Sequence, residues 1–292
     1  MKNEKIYAIV VSFNGGFEIF KTIESIRKQV NKVIVVDNCS DNVDFSALEY
    51  LELNANLSLI RLDQNYGIAY AQNIGVAVAH AEGADWVLML DQDSACAPDM
   101  LDKLLAVMES VDKEKIGFIC PNVEYQGKNL NADRGSVFTE VASAISSGCL
   151  FPMSTLQFAG PQCVEYFIDS VDFEYCLRLR SLGYKLINAG NAVLEHKLGK
   201  KTQVSFFGIY FSIFTHSPFR RYYIIRNHIF LIKKFWKIFP LFLIKKTILL
   251  IILIMQIFLF ESKKGENLHQ CWQGLIDGFK GRGGKNVSKL HI

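Results

Sequence analysis

Trp86-Val-Leu-Met-Leu-Asp-Gln-Asp-Ser94 is the stretch on which the reading of this chain turns. An apolar run that stops at Asp91-Gln92-Asp93 describes a buried strand that reaches the rim of a sheet and ends in acid. With a side-chain period of two, Asp91 and Asp93 lean to one side and Gln92 points away. Two carboxylates so placed repel each other unless something positive sits between them. Mg²⁺ or Mn²⁺ is the natural candidate, because hard cations take oxygen ligands. A solvated turn capping the next helix would use the same residues, so the surrounding chain has to decide.

Upstream, Tyr7-Ala-Ile-Val-Val-Ser-Phe13 closed by Asn14-Gly15-Gly16 is a strand and its turn. Phe17, Phe20, Ile23, Ile26 and Val30 recur at helical spacing, as in an amphipathic helix laid on a sheet. Lys32-Val-Ile-Val-Val-Asp37 is a second buried strand ending in acid; a weaker helix over 44–53 and a strand from Leu57 to Leu62 follow. After Asp63-Gln-Asn-Tyr-Gly67 comes a helix over 68–81, made largely of residues small enough to let it sit close to the sheet. Strand and helix alternating with short turns specify an α/β fold with a mainly parallel, doubly wound, Rossmann-like sheet. Ligands of such sheets bind beyond the carboxyl ends of the strands, where Asn14, Asp37, Asn65 and Asp91 all fall. Neither G-x-G-x-x-G after the first strand nor G-x-x-x-x-G-K-[ST] occurs, which removes the dinucleotide and P-loop readings.

Four motifs then carry a resemblance: A-I-V-V-S-F-N from Ala8, V-V-D-N from Val35, N-Y-G-I-A-Y-A-Q-N-I-G from Asn65 and D-Q-D-S from Asp91. Together they resemble the nucleotide-binding half of the inverting glycosyltransferases of family 2, which have the GT-A fold, over residues 5–200. The resemblance implies that Asp37 contacts the base or ribose of a nucleotide-sugar, with Asn14 and Asn65 framing it. It implies that Asp91 lies against the ribose and that Asp93 holds the divalent cation on the pyrophosphate. Read alone, Asp37 is a turn-capping carboxylate at a strand end.

Downstream, the pattern predicts a helix over 99–111, a strand Ile116–Cys120 ended by Pro121, and a polar stretch 122–142 that tolerates an acceptor-facing excursion. Ser146-Ser-Gly-Cys-Leu-Phe151 is similar to the family's small-residue strand lining the acceptor pocket, where Gly148 would admit the sugar. A tight backbone contact explains that glycine equally well. A helix starts near Val171, with Cys176, Leu177, Leu179 and Leu182 inward, Arg178 and Arg180 outward and Gly183 as its stop. Asp169 or Ser170 can cap it, and Asp172 falls in its first turn. An inverting displacement needs one base for the acceptor hydroxyl, and an aspartate held on a rigid helix suits that role.

The segment Ile168-Asp-Ser-Val-Asp-Phe-Glu174 resembles the I-D-x-V-D-x-E form of bacterial rhamnosyltransferases. That implies Asp172 as the catalytic base and Asp169 beside the acceptor; the alternative is that Asp172 only supports the helix start. His196 matches the family's H-x-x-G element, which implies a ligand to the metal or pyrophosphate, although a lone histidine is ordinarily a structural hydrogen-bonder. Gly160-Pro-Gln-Cys-Val-Glu165 departs from the family's G-x-F-D-E, so Glu165 is given no role.

The totals add a second region. At 292 residues, half of them hydrophobic, the chain buries a full core and is not disordered. Its net charge of +3 hides an asymmetry: from Phe219 onward there are 14 Lys+Arg against 3 Asp+Glu, leaving an acidic body and a basic tail. Seven scattered cysteines with no C-x-x-C imply reduced thiols in a cytosolic protein, without zinc or a disulfide framework. No signal peptide is evident, so the N-x-S triplets are taken as chance. Arg220-Arg-Tyr-Tyr-Ile-Ile-Arg-Asn227 is similar to the R-Y-Y-x-x-R-N segment of the rhamnosyltransferase-like subgroup. Arg220, Arg221 and Arg226 there suit phosphate oxygens, or else form an ordinary basic helix face.

From Phe235 to Phe260 the chain is apolar, but its longest uncharged run, Thr247 to Phe260, is 14 residues, short of the roughly 20 that span a bilayer. A helix lying in the membrane interface, its lysines toward anionic headgroups, accounts for apolarity and charge together; a core hairpin broken at Pro240 competes. Basic residues that flank aliphatic blocks do not suit nucleic acid.

The expected division is a GT-A nucleotide-sugar-binding and catalytic domain over 1–205 and a basic, apolar helical segment over 206–292. The expected protein is a peripheral enzyme on the cytoplasmic face of the bacterial inner membrane. It would move a sugar, on the subgroup resemblance L-rhamnose from dTDP-L-rhamnose, onto a lipid-linked saccharide acceptor in O-antigen or other surface polysaccharide assembly. A UDP- or GDP-linked donor, a metal-dependent phosphohydrolase and a non-catalytic membrane scaffold are the alternatives.

Overall fold

The structure is a computed structural model that describes residues 4–43, 45–54, 56–111, 115–125, 128–129, 138–196, 201–206, 209–261 and 263–286. Its contacts divide the chain into two compact units, one of residues 1–164 with 175–197, the other of 165–174 with 198–292. The second unit thus takes in the segment bearing Asp169 and Asp172, which the sequence groups with the first domain.

In the first unit β1 (Ile6–Ser12), α1 (Glu18–Ile26), β2 (Lys32–Asp37), α2 (Phe45–Asn54), β3 (Leu57–Arg61), α3 (Ile68–Ala81) and β4 (Trp86–Asp91) alternate as the sequence predicts. Their strands pair in parallel in the order β3-β2-β1-β4. β5 (Ser94–Cys96), α4 (Met100–Met108), β6 (Ile116–Tyr125), β7 (Lys128–Asn129), β8 (Phe138–Glu140), β9 (Leu150–Pro152) and α5 (Met153–Ala159) follow. α6 (Val171–Ser181), whose residues up to Glu174 belong to the second unit, and β10 (Lys185–His196) complete the set, and the sheet extends through β9, β6, β10 and β5. β6 and β10 are parallel; β9 and β5 run antiparallel to their neighbours.

Alternation along the strands builds two cores. Ala8, Val10, Val33, Val35, Leu88 and Leu90 face α1 and α4, while Ile9, Val11, Ile34, Val36, Val87 and Met89 face α3 and α5. The close seat of α3 has one visible cause: a Cβ on Gly75 would lie 2.5 Å from Ile9 Cγ2.

Two local expectations are corrected. The strand expected to end at Pro121 runs on to Tyr125; the missing N–H is absorbed by a bulge, since Ala189 pairs with Pro121 and Val193 with Asn122. Leu182, expected inward, is exposed because α6 has already ended, while Cys176, Leu177 and Leu179 are buried as read. Tyr175, Cys176 and Leu179 dock α6 into the core, and Leu177 is buried beside them. Much of 122–142 lies outside the described residues, as does Gly199 of the H-x-x-G element. None of the seven cysteines forms a disulfide.

The second unit holds β11 (Lys201–Phe206) and β12 (Ile209–Phe214), an antiparallel pair, then α7 (Pro218–Phe235), α8 (Pro240–Phe260) and α9 (Lys264–Lys280). Ser217 caps α7 by accepting from Arg220 N at 3.3 Å, with Pro218 at the first helical position. α7 and α9 touch backbone to backbone, because a Cβ on Gly274 would lie 2.4 Å from Tyr222 O and one on Gly278 2.8 Å from Ile229 Cβ. α8 is one unbroken helix of 21 residues with an 18-residue stretch of mean hydropathy 2.3, long and apolar enough to cross a membrane by length and composition. Pro240 starts it rather than breaking it. Of its residues only Leu243 and Ile257, near its two ends, are buried, so it packs along its own unit with a broad apolar face exposed.

Candidate active site

The parallel ladder sets the first group of residues. Ser12 pairs with Asp37 and Val11 with Asp91, so β1, β2 and β4 end on one edge and their loops meet there. Asn14, with φ +52°, gives its N–H to Ser40 Oγ (2.8 Å) and accepts from Asp41 N (2.9 Å). Asp37 is buried and accepts from Ser40 N (2.9 Å) and Ser40 Oγ (2.5 Å). Asn65 Oδ1 accepts from Asn38 Nδ2 (3.1 Å) and Gly67 N (2.9 Å), and Asn38 Oδ1 from Tyr66 N (2.9 Å). Asn14, Asp37 and Asn65 are thus brought together as the frame of three loops. Asp37 keeps its turn-capping part in that frame.

Asp91, Asp93 and His196 converge more tightly: one ligand atom from each lies within 4.8 Å of the others. Asp93 Oδ1 is 3.5 Å from His196 Nδ1. His196 arrives because β10 runs antiparallel to β5, which sets it opposite Ser94. A relay fixes the geometry: His196 Nδ1 and Ser94 Oγ are 2.9 Å apart, Ser94 Oγ and Ser147 Oγ 2.7 Å, and Ser147 Oγ accepts from Asp91 N at 3.0 Å. Burial pushes the His196 imidazolium below its ordinary range and Asp93 opposes this, so the ring favours the neutral form that can ligate. Two carboxylate oxygens and one imidazole nitrogen suit Mn²⁺ or Mg²⁺ bound partly by a substrate's own oxygens. The residues fit the cation the sequence implies.

Gln92, left without a role in the sequence, is the pin of this edge. Its Oε1 accepts from Phe13 N (2.7 Å) and Ser12 Oγ (3.3 Å), and its Nε2 donates to Phe13 O (3.1 Å). Gly15 leaves room for it: a Cβ there would lie 2.4 Å from Gln92 Oε1 and would push that side chain from its place. Ser94, Ser147 and Ser40 were also missed, although D-Q-D-S and S-S-G carry two of them in plain view. Gly148 has φ +83°, and a Cβ on it would meet Pro121 Cγ at 2.6 Å, so close packing accounts for this glycine.

In the second unit, Asp169 receives Arg220 in a two-pronged ion pair, Nη2 to Oδ1 at 2.5 Å and Nε to Oδ2 at 3.2 Å. Asp172 lies in the first turn of α6, and Lys246 of α8 is within electrostatic reach of both acids. Burial lowers that ammonium to about 8, and Asp169 and Asp172 resist the shift. Lys246 Nζ lies 3.0 Å above the Phe173 ring and Lys234 pairs with the buried Glu174 at 2.7 Å.

The three arginines read as phosphate ligands part company here. Arg220 is partly exposed, whereas Arg221 and Arg226 are buried. Arg221 pairs with Glu261, and Arg226 donates to the carbonyls of Glu165 (2.8 Å), Tyr166 (3.0 Å) and Gly284 (2.6 Å). Those two guanidiniums hold their own unit together. Spacing alone could not separate them from Arg220, since adjacent residues on one helix look alike until the packing is known.

Three comparisons bear on this geometry. The profile of "Glycosyl transferase family 2" matches residues 7–154. The chain is 30% identical to the dTDP-rhamnosyl transferase RfbF of Shigella flexneri, covering 96% of this chain and 97% of that protein. Among solved structures, S. aureus TarS 1-349 in complex with UDP superposes with a TM-score of 0.55 at 15% identity, covering 94% of this chain and 72% of that one. A mannosyltransferase from Pyrobaculum calidifontis in complex with GDP-Man and Mn²⁺ gives 0.56 at 15% identity, covering 77% and 62%. The structural likenesses bear on the fold alone.

Proposed function

Because the chain belongs to glycosyl transferase family 2 and is a glycosyltransferase, we propose that it transfers L-rhamnose from dTDP-L-rhamnose to a lipid-linked saccharide in surface polysaccharide assembly, with inversion at the anomeric carbon. The observation that carries the donor is the likeness to a dTDP-rhamnosyl transferase along nearly the whole chain. For the chemistry, it is the convergence of Asp91, Asp93 and His196 at the carboxyl edge of the sheet.

Asn14, Asp37 and Asn65 hold the loops against which the nucleoside lies, and Asp91 meets the ribose. Asp93 and His196, with Asp91 beside them, would hold a divalent cation, which when bound would supply positive charge for the departing diphosphate. Asp172 takes the proton of the acceptor hydroxyl as that oxygen attacks the anomeric carbon; the C–O bond to the diphosphate breaks and the nucleoside diphosphate leaves with the bond's electron pair. Asp169, steadied by Arg220, orients the acceptor.

α8 lies in the interface of an anionic membrane at its cytoplasmic face. Support comes from its exposed Leu241, Ile248, Leu249, Ile252, Phe258 and Leu259, and from the lysines at 233, 234, 245, 263 and 264 along the same unit.

Calorimetric titration with dTDP, UDP and GDP, with and without Mn²⁺, tests the donor and the cation together. The expected result is tightest binding of dTDP, strengthened by Mn²⁺. Equal or tighter binding of UDP or GDP overturns the rhamnose assignment, and normal transfer by Asp172→Asn overturns the base.

A further inference from the structure

The turn that precedes α6 is built against its own backbone preferences. Phe167, Asp169 and Ser170 have φ of +60°, +62° and +61°, three non-glycine residues in the left-handed region within four positions. Ser170 then begins the helix, its carbonyl accepting from Glu174 N at 3.0 Å. A chain does not rest in such a turn unaided; something over-determines it.

That something is the pair Arg226–Asn227 on α7, both fully buried. The Asn227 amide reaches three carbonyls at and just before the turn: Tyr166 O at 2.9 Å, Ile168 O at 2.8 Å and Asp169 O at 2.7 Å. Arg226 takes the carbonyls of Glu165 and Tyr166 with one nitrogen and, through its Nε, orients Asn227 Oδ1 at 3.0 Å. The outer side is closed by Gly284, whose N–H donates to Glu165 O at 2.7 Å while its carbonyl accepts from Arg226. Every one of these bonds ends on main chain or within the pair. The pair therefore fixes where the helix starts, whatever side chains the turn carries.

We propose that Arg226 and Asn227 are positioning residues: they hold the left-handed turn Phe167–Ser170 and so set the direction of Asp172 without touching the nucleotide. The proposal rests on the reading of Asp172 as the base, and it assigns to Arg226 a different part from the phosphate contact its sequence motif implies.

The test uses the full chain with Mn²⁺ and dTDP-L-rhamnose, following dTDP release, with dTDP affinity and thermal unfolding measured on the same preparations. Asn227→Ser and Arg226→Lys are expected to leave dTDP affinity within about twofold and to lower kcat on the order of 10- to 100-fold, with donor KM little changed. In an Asp172→Glu background, where the carboxylate is already displaced, Asn227→Ser is expected to cost less than about threefold, because both changes act on one group. Weaker dTDP binding by Arg226→Lys, an unchanged kcat in a folded Asn227→Ser, or full multiplication of the two losses would each overturn the proposal. Ser170→Gly accepts φ +61° without strain and so lessens what the pair has to hold. Added to Arg226→Lys it is expected to recover part of the lost kcat at unchanged dTDP affinity, and no recovery counts against the proposal, whether or not Asn227→Ser folds. Asp172→Asn is run alongside: if it turns over normally, the base reading fails, whereas its loss together with full activity of the clamp variants sinks the clamp alone.

Discussion

The two units hold their acids by different means. Asp37 and Asp91 end strands of a parallel ladder, where every residue's place is fixed by main-chain pairing to a neighbour. Asp169 and Asp172 flank the start of a helix whose preceding turn is held by side chains reaching from α7. A ladder spreads its load over many bonds, so one side chain can change without moving the edge. A tethered turn depends on a few buried groups, and losing one moves everything beyond it.

The comparison is broken or sharpened by variants of graded effect. The largest falls on the tethered unit: Arg221→Met leaves the largely buried Glu261 carboxylate without its cation, with Asn267 Nδ2 still donating to it at 2.6 Å, and should cost about 3 kcal/mol of stability, read by denaturant unfolding. The double variant Arg221→Met with Glu261→Leu should recover much of that loss. If the single variant is as stable as the parent, the second unit does not depend on its tethers.

Asp93→Asn should leave folding intact while lowering turnover on the order of 10²- to 10³-fold and weakening Mn²⁺ binding. An unfolded Asp93→Asn would mean that the ladder edge is itself fragile, against the comparison. Next comes pH. Burial, with Lys246 adding to it, pulls the His228 ring down to about 4. Between 4 and the ordinary 6.5 the unfolded chain binds a proton that the folded one refuses, so the stabilisation is complete above 6.5 and falls as pH drops toward 4. The full loss is about 3 kcal/mol, to be seen in chemical unfolding across that window and flattened by His228→Gln.

Gly75→Ala tests the ladder from its packing side. Its Cβ would lie 2.5 Å from Ile9 Cγ2, and overpacking of this kind costs about 1–3 kcal/mol, visible as a lower Tm with unchanged nucleotide affinity. The smallest effect belongs to Lys21–Glu195 on the surface: with both side chains about two-thirds exposed, Lys21→Ala should change stability by less than about 0.5 kcal/mol.

Legibility followed the same divide. The helix over 68–81 was readable to the residue because small side chains at helical spacing have one sensible use, and the observed α3 is Ile68–Ala81. The strands ending at Asp37 and Asp91 were readable because apolar runs of that length must be buried. Gln92 was not, since nothing in a D-Q-D triplet says that the middle side chain turns back to pin Phe13. Arg220, Arg221 and Arg226 looked alike in the sequence and differ only in what packs around them. Pro121 was misread as a stop because a bulge on β10, which lets a strand continue past a missing N–H, has no local signal.

By itself, then, the sequence determined the alternating sheet, the edge at which its polar residues gather, the D-Q-D-S element and the apolar, basic character of the tail. Hydrophobic period and strand length are local quantities, and both are written residue by residue. Tertiary structure alone decided that His196 stands opposite Ser94, that Arg226 and Asn227 serve a left-handed turn, and that Arg221 is a buried partner of Glu261. Those outcomes depend on which surfaces meet across 40 to 102 residues of chain. No local preference encodes such a meeting, and it is fixed only when the cores close.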